Sequence, residues 1–204
     1  MISFKNLKLV LITLTLLLNF HIGNSQSLKA AVEKMDSYTQ WATSPEVSMV
    51  KGDYNGDGYS DIALVRQTNG WGTVPVAFSN GDGDFTITNQ ECRFANFATS
   101  PTHITSGDFN GDGRTDLALL GKIGSGWGSF VIAFSNGDGT FTVTNKQADV
   151  FYRQYLSASS VTVVVGDYNG DQRDDFAFFS QNSSWGTAPI AMSNGDGAFQ
   201  LVEK

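Results

Sequence analysis

Asp108–Asp116 reads D-F-N-G-D-G-R-T-D. Asp108, Asn110, Asp112 and Asp116 carry side-chain oxygens at loop positions 1, 3, 5 and 9, and Gly111 and Gly113 let the backbone turn tightly enough for them to converge. Calcium is a hard cation that takes several oxygen ligands at this spacing, with a backbone carbonyl added from position 7, here Arg114. The same nonapeptide recurs as D-Y-N-G-D-G-Y-S-D and D-Y-N-G-D-Q-R-D-D. The second ligand set is therefore Asp53, Asn55, Asp57, Tyr59 and Asp61, and the third is Asp167, Asn169, Asp171, Arg173 and Asp175. Three copies predict about three bound Ca2+ ions.

The residues after each loop separate it from an EF-hand, which needs a helix and a glutamate at position 12. Here the last aspartate runs into Ile62–Val65, Leu117–Leu120 or Phe176–Phe179, short apolar runs of strand length. The unit around the loop also repeats. Trp71, Trp127 and Trp185 each open a Trp-Gly pair, and Ser-Asn-Gly-Asp-Gly starts at Ser79, Ser135 and Ser193. Even the lead-in recurs, Trp41–Pro45 matching Phe97–Pro101. Each unit reads as four short strands: one ending before the loop (48–50, 161–165), the apolar run after it, a third (74–78, 130–134, 188–192) and a fourth (85–88, 141–144, 199–202). Asn-Gly-Asp-Gly supplies the hairpin turn before the fourth, since Asn and Gly tolerate positive φ. Its aspartates, Asp82, Asp138 and Asp196, read as turn residues.

The fold class is accordingly all-β: three four-stranded antiparallel blades of the β-propeller type, a partial propeller as a single chain. Blade 1 spans about residues 36–89, blade 2 about 90–145 and blade 3 about 146–204, within one repeat domain over 26–204. Helix is expected nowhere beyond a turn around Leu28–Met35, a segment that could equally be a strand. Gln172 stands where the other loops have Gly58 and Gly113. If that position needs a left-handed backbone, glutamine costs about 1 kcal/mol there, and the third site is the weakest. Asp174, an extra acid in the third loop, reads as a solvated charge.

Ahead of the repeats, Lys5 and Lys8 precede an apolar run through Leu18, with small residues at Gly23 and Ser25. This is the layout of a secretory signal peptide over residues 1–25, so a secreted protein with no membrane span in its mature chain is expected. The alternative is an uncleaved anchor. The formal net charge is −7, and nine of the 20 acids are loop aspartates, so metal sites account for much of the acidity. No Lys/Arg cluster points to nucleic acid. Cys92 is the single cysteine, which excludes an internal disulfide. Asn182-Ser183-Ser184 is a glycosylation sequon.

From residue 36 to 204 the pattern resembles the FG-GAP/VCBS repeat family, the calcium-loop blades of integrin α-subunit propellers and of many secreted bacterial and fungal proteins. It is similar, more loosely, to fungal lectin propellers with D-x-T-G-D-G loops and N-x-G-N-G-T-F hairpins. The literal Phe-Gly…Gly-Ala-Pro string is absent, and the Trp-Gly pairs stand in its neighbourhood. The resemblance implies the fold and the metal and leaves the ligand open.

Two functions remain from different classes. One is a binding module for carbohydrate or glycoprotein, in which Trp71, Trp127 and Trp185 stack on ligand from Gly-flanked loops. The other is a structural or adhesive repeat, in which the tryptophans pack between blades and partners are proteins. An enzyme is not expected, because one cysteine and His103, the single histidine after the leader, suggest no nucleophile–base pair. Three blades also fall short of the four to eight that close a ring. Two chains meeting head to tail, both ways round, would make a six-bladed homodimer.

Overall fold

The computed structural model describes residues 4–68, 71–98, 103–121, 128–147, 161–180, 186 and 188–203, with side chains from residue 23 onward. Twelve strands form three antiparallel four-stranded sheets among these residues. Blade 1 comprises β1 (Val47–Gly52), β2 (Asp61–Arg66), β3 (Thr73–Ser79) and β4 (Phe85–Glu91). Blade 2 comprises β5 (His103–Gly107), β6 (Asp116–Leu120), β7 (Ser129–Ser135) and β8 (Phe141–Gln147). Blade 3 comprises β9 (Val161–Gly166), β10 (Asp175–Ser180), β11 (Ile190–Ser193) and β12 (Phe199–Val202). Strand order follows chain order within each blade, and each Asp-rich loop joins the first strand to the second. Ala188 and Pro189 fall outside β11, although Phe178 N–H still donates to Pro189 O at 3.0 Å.

Period-two alternation on the second strand of each blade decides which blade faces which. Ala63 and Val65 of β2 enter a cluster with Leu117 and Leu119 of β6. The alternate β6 residues, Ala118 and Leu120, turn the other way and meet Phe176 and Phe178 of β10. The second interface is strongly aromatic: Phe109, Phe130, Phe176 and Phe199 sit with ring centroids 4.8–6.0 Å apart. Cys92 is buried in the first interface, and burial pushes its thiol above the ordinary range.

The expectation of almost no helix needs correcting. Phe4–Ala42 forms one 39-residue helix, α1, and its C-terminal part covers the side of blade 1 that faces away from blade 2. Residues 28–35 are mostly strong helix formers, with Leu28, Lys29, Ala30, Ala31, Glu33, Lys34 and Met35. Beyond them Met35, Tyr38, Trp41 and Ala42 share one helix face and pack on Ile62, Leu64, Ala77, Phe85 and Ile87. The Tyr38 hydroxyl donates to Ile62 O at 2.8 Å. Among the described residues no helix is long and apolar enough to cross a membrane. A 3-10 helix at Arg93–Asn96 precedes the lead-in of blade 2, buries Phe94 and Ala95, and is the second departure from the all-strand expectation.

Candidate metal centre

The three Asp-rich loops adopt one conformation, held by the position-1 carboxylate. In the first loop Asp53 Oδ1 accepts from Gly56 N at 2.8 Å and Asp57 N at 3.1 Å, and Oδ2 accepts from Gly58 N at 2.8 Å. Asp108 does the same for Gly111, Asp112 and Gly113, and Asp167 for Gly170, Asp171 and Gln172. The side chains at positions 3 and 5 face each other at every loop, with Asn55 Nδ2 donating to Asp57 Oδ2 at 2.8 Å, Asn110 to Asp112 at 3.0 Å and Asn169 to Asp171 at 2.9 Å. Position 6 is left-handed throughout, with φ +87° at Gly58, +83° at Gly113 and +69° at Gln172. Gln172 is the one non-glycine residue at positive φ among those described, so the expected strain is located at the third loop.

Position 9 behaves differently from positions 1, 3 and 5. Asp61, Asp116 and Asp175 are fully buried, and each carboxylate bridges two backbone N–H groups. Asp116 Oδ2 accepts from Phe109 N at 3.0 Å and Oδ1 from Ser135 N at 2.8 Å. Asp61 joins Tyr54 and Ser79 in the same way, and Asp175 joins Tyr168 and Ser193. The residue read as a ligand thus also pins the start of its loop to the end of the third strand. Burial raises all three carboxyls above the usual range, Asp116 to about 7, against the two N–H donors that lower them; the aspartates at positions 1 and 5 push them higher still. A buried anion crowded by two more carboxylates is an imbalance that a cation relieves.

Position 7 carries more than a backbone carbonyl. The Arg114 guanidinium pairs with Asp112 and donates to Ser135 O at 2.9 Å. Arg173 pairs with Asp171 at 2.5 Å and donates to Ser193 O at 3.1 Å. Tyr59 offers no such charge, and Asp57 instead accepts from Asn55 Nδ2 and from the Tyr59 N–H. Among the described residues, no group of three or more His, Cys, Asp or Glu side chains is drawn together as a ready metal cluster. The loop's oxygen-bearing side chains are mixed, Asp with Asn, and such oxygens together with a backbone carbonyl are the hard donors that calcium prefers.

Position 8 is where the sequence reading fails. Thr115 N–H donates to Asp53 O at 2.7 Å, while Asp53 N–H donates to Thr115 Oγ1 at 2.9 Å. Asp174 makes the same pair of bonds to Asp108, at 2.6 and 2.8 Å. Asp174 is therefore half-buried and bonded across the blade junction rather than a solvated charge, and burial raises its carboxyl. The second and third loops thus each clasp the backbone of the preceding one. The signal that could have revealed this is the glycine before position 1: a Cβ on Gly52 would lie 2.4 Å from Thr115 Cγ2, and one on Gly107 would lie 2.8 Å from Asp174 Oδ2.

Of the three tryptophans, Trp71 is half-buried against α1, edge-on to Trp41 at 6.0 Å, with the Arg66 guanidinium 5.8 Å from its ring centroid. Its surroundings are those of a packing residue. Trp127, Trp185 and Asn182 lie outside the described residues. Asp82, Asp138 and Asp196 each accept from the N–H two residues on, as turn residues do. Between blades 1 and 2, beside the first loop, a cleft of about 430 Å³ is lined by Asn55, Asp57, Phe78, Asn80, Thr88 and Asp138 among others. Only its metal-loop members were legible in the sequence as site residues.

Three blades of this construction define a repeat protein with a partial propeller fold, and the family can be stated on that basis. The FG-GAP-like repeat family model matches residues 53–119 and 108–178, and the chain belongs to that family. A solved structure that it resembles is described as the structural basis of specific recognition of non-reducing terminal N-acetylglucosamine by an Agrocybe aegerita lectin. The two share 24% identity at a TM-score of 0.54, over 74% of this chain and 36% of the lectin chain, which is a likeness of fold. This chain thus spans about a third of the length of that one. No curated protein matches it.

Proposed function

We propose that this chain is a secreted, calcium-dependent binding module whose ligand is a carbohydrate or glycoprotein. The observation that carries the metal is the loop itself, three times over: a buried position-9 carboxylate, raised by burial and by the aspartates at positions 1 and 5, in a loop closed on itself by its Asp and Asn side chains. Asp53, Asn55, Asp57, the Tyr59 carbonyl and Asp61 would hold the first ion, with the equivalent residues holding the second and third. Calcium would supply cross-linking charge, stiffening the rim on which ligand contacts are displayed. The leader-like residues 1–25 support secretion, and calcium outside cells is abundant enough to fill modest sites.

For the ligand, the support is the cleft beside the first loop, where amides, hydroxyls and carboxylates border the Phe78 side chain. Polyols bind through polar groups of this kind, and Phe78 behind them is almost fully buried. A glycan array probed with the full chain in calcium tests the reading. Discrete hits, competed by free sugar and lost in chelator and in Asp57→Ala, are expected. A folded, calcium-loaded protein that gives no hit would refute it and leave the structural or adhesive reading, which the exposed apolar face of blade 3 favours.

A further inference from the structure

Blade 3 keeps the receiving half of a junction that the chain makes twice with itself. At both internal junctions, the position-8 side chain of the following blade sits on the glycine before position 1, Gly52 or Gly107. Gly166 is the third such glycine, yet an added Cβ there would meet nothing nearer than the Tyr168 ring at 3.8 Å. It lies outside the left-handed region, so its own backbone does not require glycine. The face around it is apolar and open. Tyr54 and Phe109 are 0% exposed at the first two junctions, whereas their counterpart Tyr168 is 42% exposed. Val65 and Leu120 are likewise 0% exposed, against 47% for Phe179.

Blade 1 carries the matching half. Ser60 occupies position 8, has the hydroxyl that Thr115 uses, and is exposed at the rim. The sheet face behind it, with Ile62 and Leu64, is equivalent to the face that blade 2 packs on blade 1, and α1 covers it.

We propose that the open face of blade 3 docks blade 1 of a second copy of this chain, Ser60 clasping Asp167 as Thr115 clasps Asp53, with α1 displaced from the face it covers. The argument is continuity: the two internal junctions define which surfaces fit, blade 3 leaves its half open, and blade 1 holds the matching half beneath α1. Two equivalent junctions of this kind close into a ring by two-fold symmetry. The inference stands apart from what the module binds.

Sedimentation velocity of the full chain in calcium, across a micromolar concentration series, is the test. The wild type should convert from one-chain to two-chain particles as concentration rises. Gly166→Val should leave the melting temperature unchanged, since its side chain enters open space, and weaken association about tenfold or more, which is 1.4 kcal/mol. Tyr38→Ala, by loosening α1, should strengthen association by a similar factor. Wild-type protein that stays a single chain throughout, or Gly166→Val that associates as tightly as wild type, overturns the proposal.

Discussion

Asp116→Asn separates the scaffolding role of position 9 from its proposed role in holding the ion. The substitution keeps size and shape but replaces one acceptor oxygen with an N–H donor. Two backbone donors converge on this carboxylate, Phe109 N at 3.0 Å and Ser135 N at 2.8 Å, and the site is fully buried. Whichever way the amide turns, one donor faces another and a buried N–H loses its partner. That costs about 1–3 kcal/mol, or about 2–12 °C of melting temperature for a chain of this size. The assay is thermal and urea unfolding at pH 8, where the wild-type carboxyl is ionised, in excess calcium and in chelator. The loss should persist in chelator, because the two hydrogen bonds exist without the ion. Asp112→Ala is the contrast: its partners, Arg114 and Asn110, lie at the surface, so it should remove calcium-dependent stabilisation and cost less than Asp116→Asn in chelator. If Asp116→Asn destabilised only in calcium, the scaffolding argument would be wrong and position 9 would act through the ion alone.

Gln172→Gly should relieve a left-handed strain of about 1–2 kcal/mol, offset in part by the greater freedom of glycine in the unfolded chain, about 0.5–1 kcal/mol. A melting temperature raised by a few degrees, with tighter binding at the third site by calorimetric titration, is expected; a lowered one would contradict it. Calcium affinity should rise with pH through about 7, because the fold without metal favours the protonated Asp116 carboxyl. The sign comes from the raised value: the metal-free stability contributed by this group is present below its unfolded value near 4 and is lost as pH rises through 7. Titrations at pH 5.5 and 8 in buffers of different ionisation enthalpy should show proton release at the lower pH, and pH-independent affinity would count against the assignment. Trp71→Ala should cost about 3 kcal/mol, the low end for a large aromatic because the ring is half-buried. A melt unchanged by it would return Trp71 to the candidates for ligand stacking.

The loops and strands were legible in the sequence because their causes are local. A D-x-N-x-D-G string closes through hydrogen bonds that span two to five residues, and the apolar runs after it set strand and facing by alternation. Gln172 could be flagged as strained for the same reason: the other loops showed glycine at its position. The helix over 28–42 was not legible, although its residues favour helix, because its seat on blade 1 depends on Ile62, Leu64 and Phe85, far along the chain. Only the tertiary structure decided that Thr115 and Asp174 clasp the loop before them, across sequence separations of 62 and 66 residues. It likewise decided that the position-9 aspartates are buried scaffolds and that blade 3 ends in an open face. Burial and junctions between blades are set by what the rest of the chain brings alongside, and a repeat shows its own interior before it shows its neighbours.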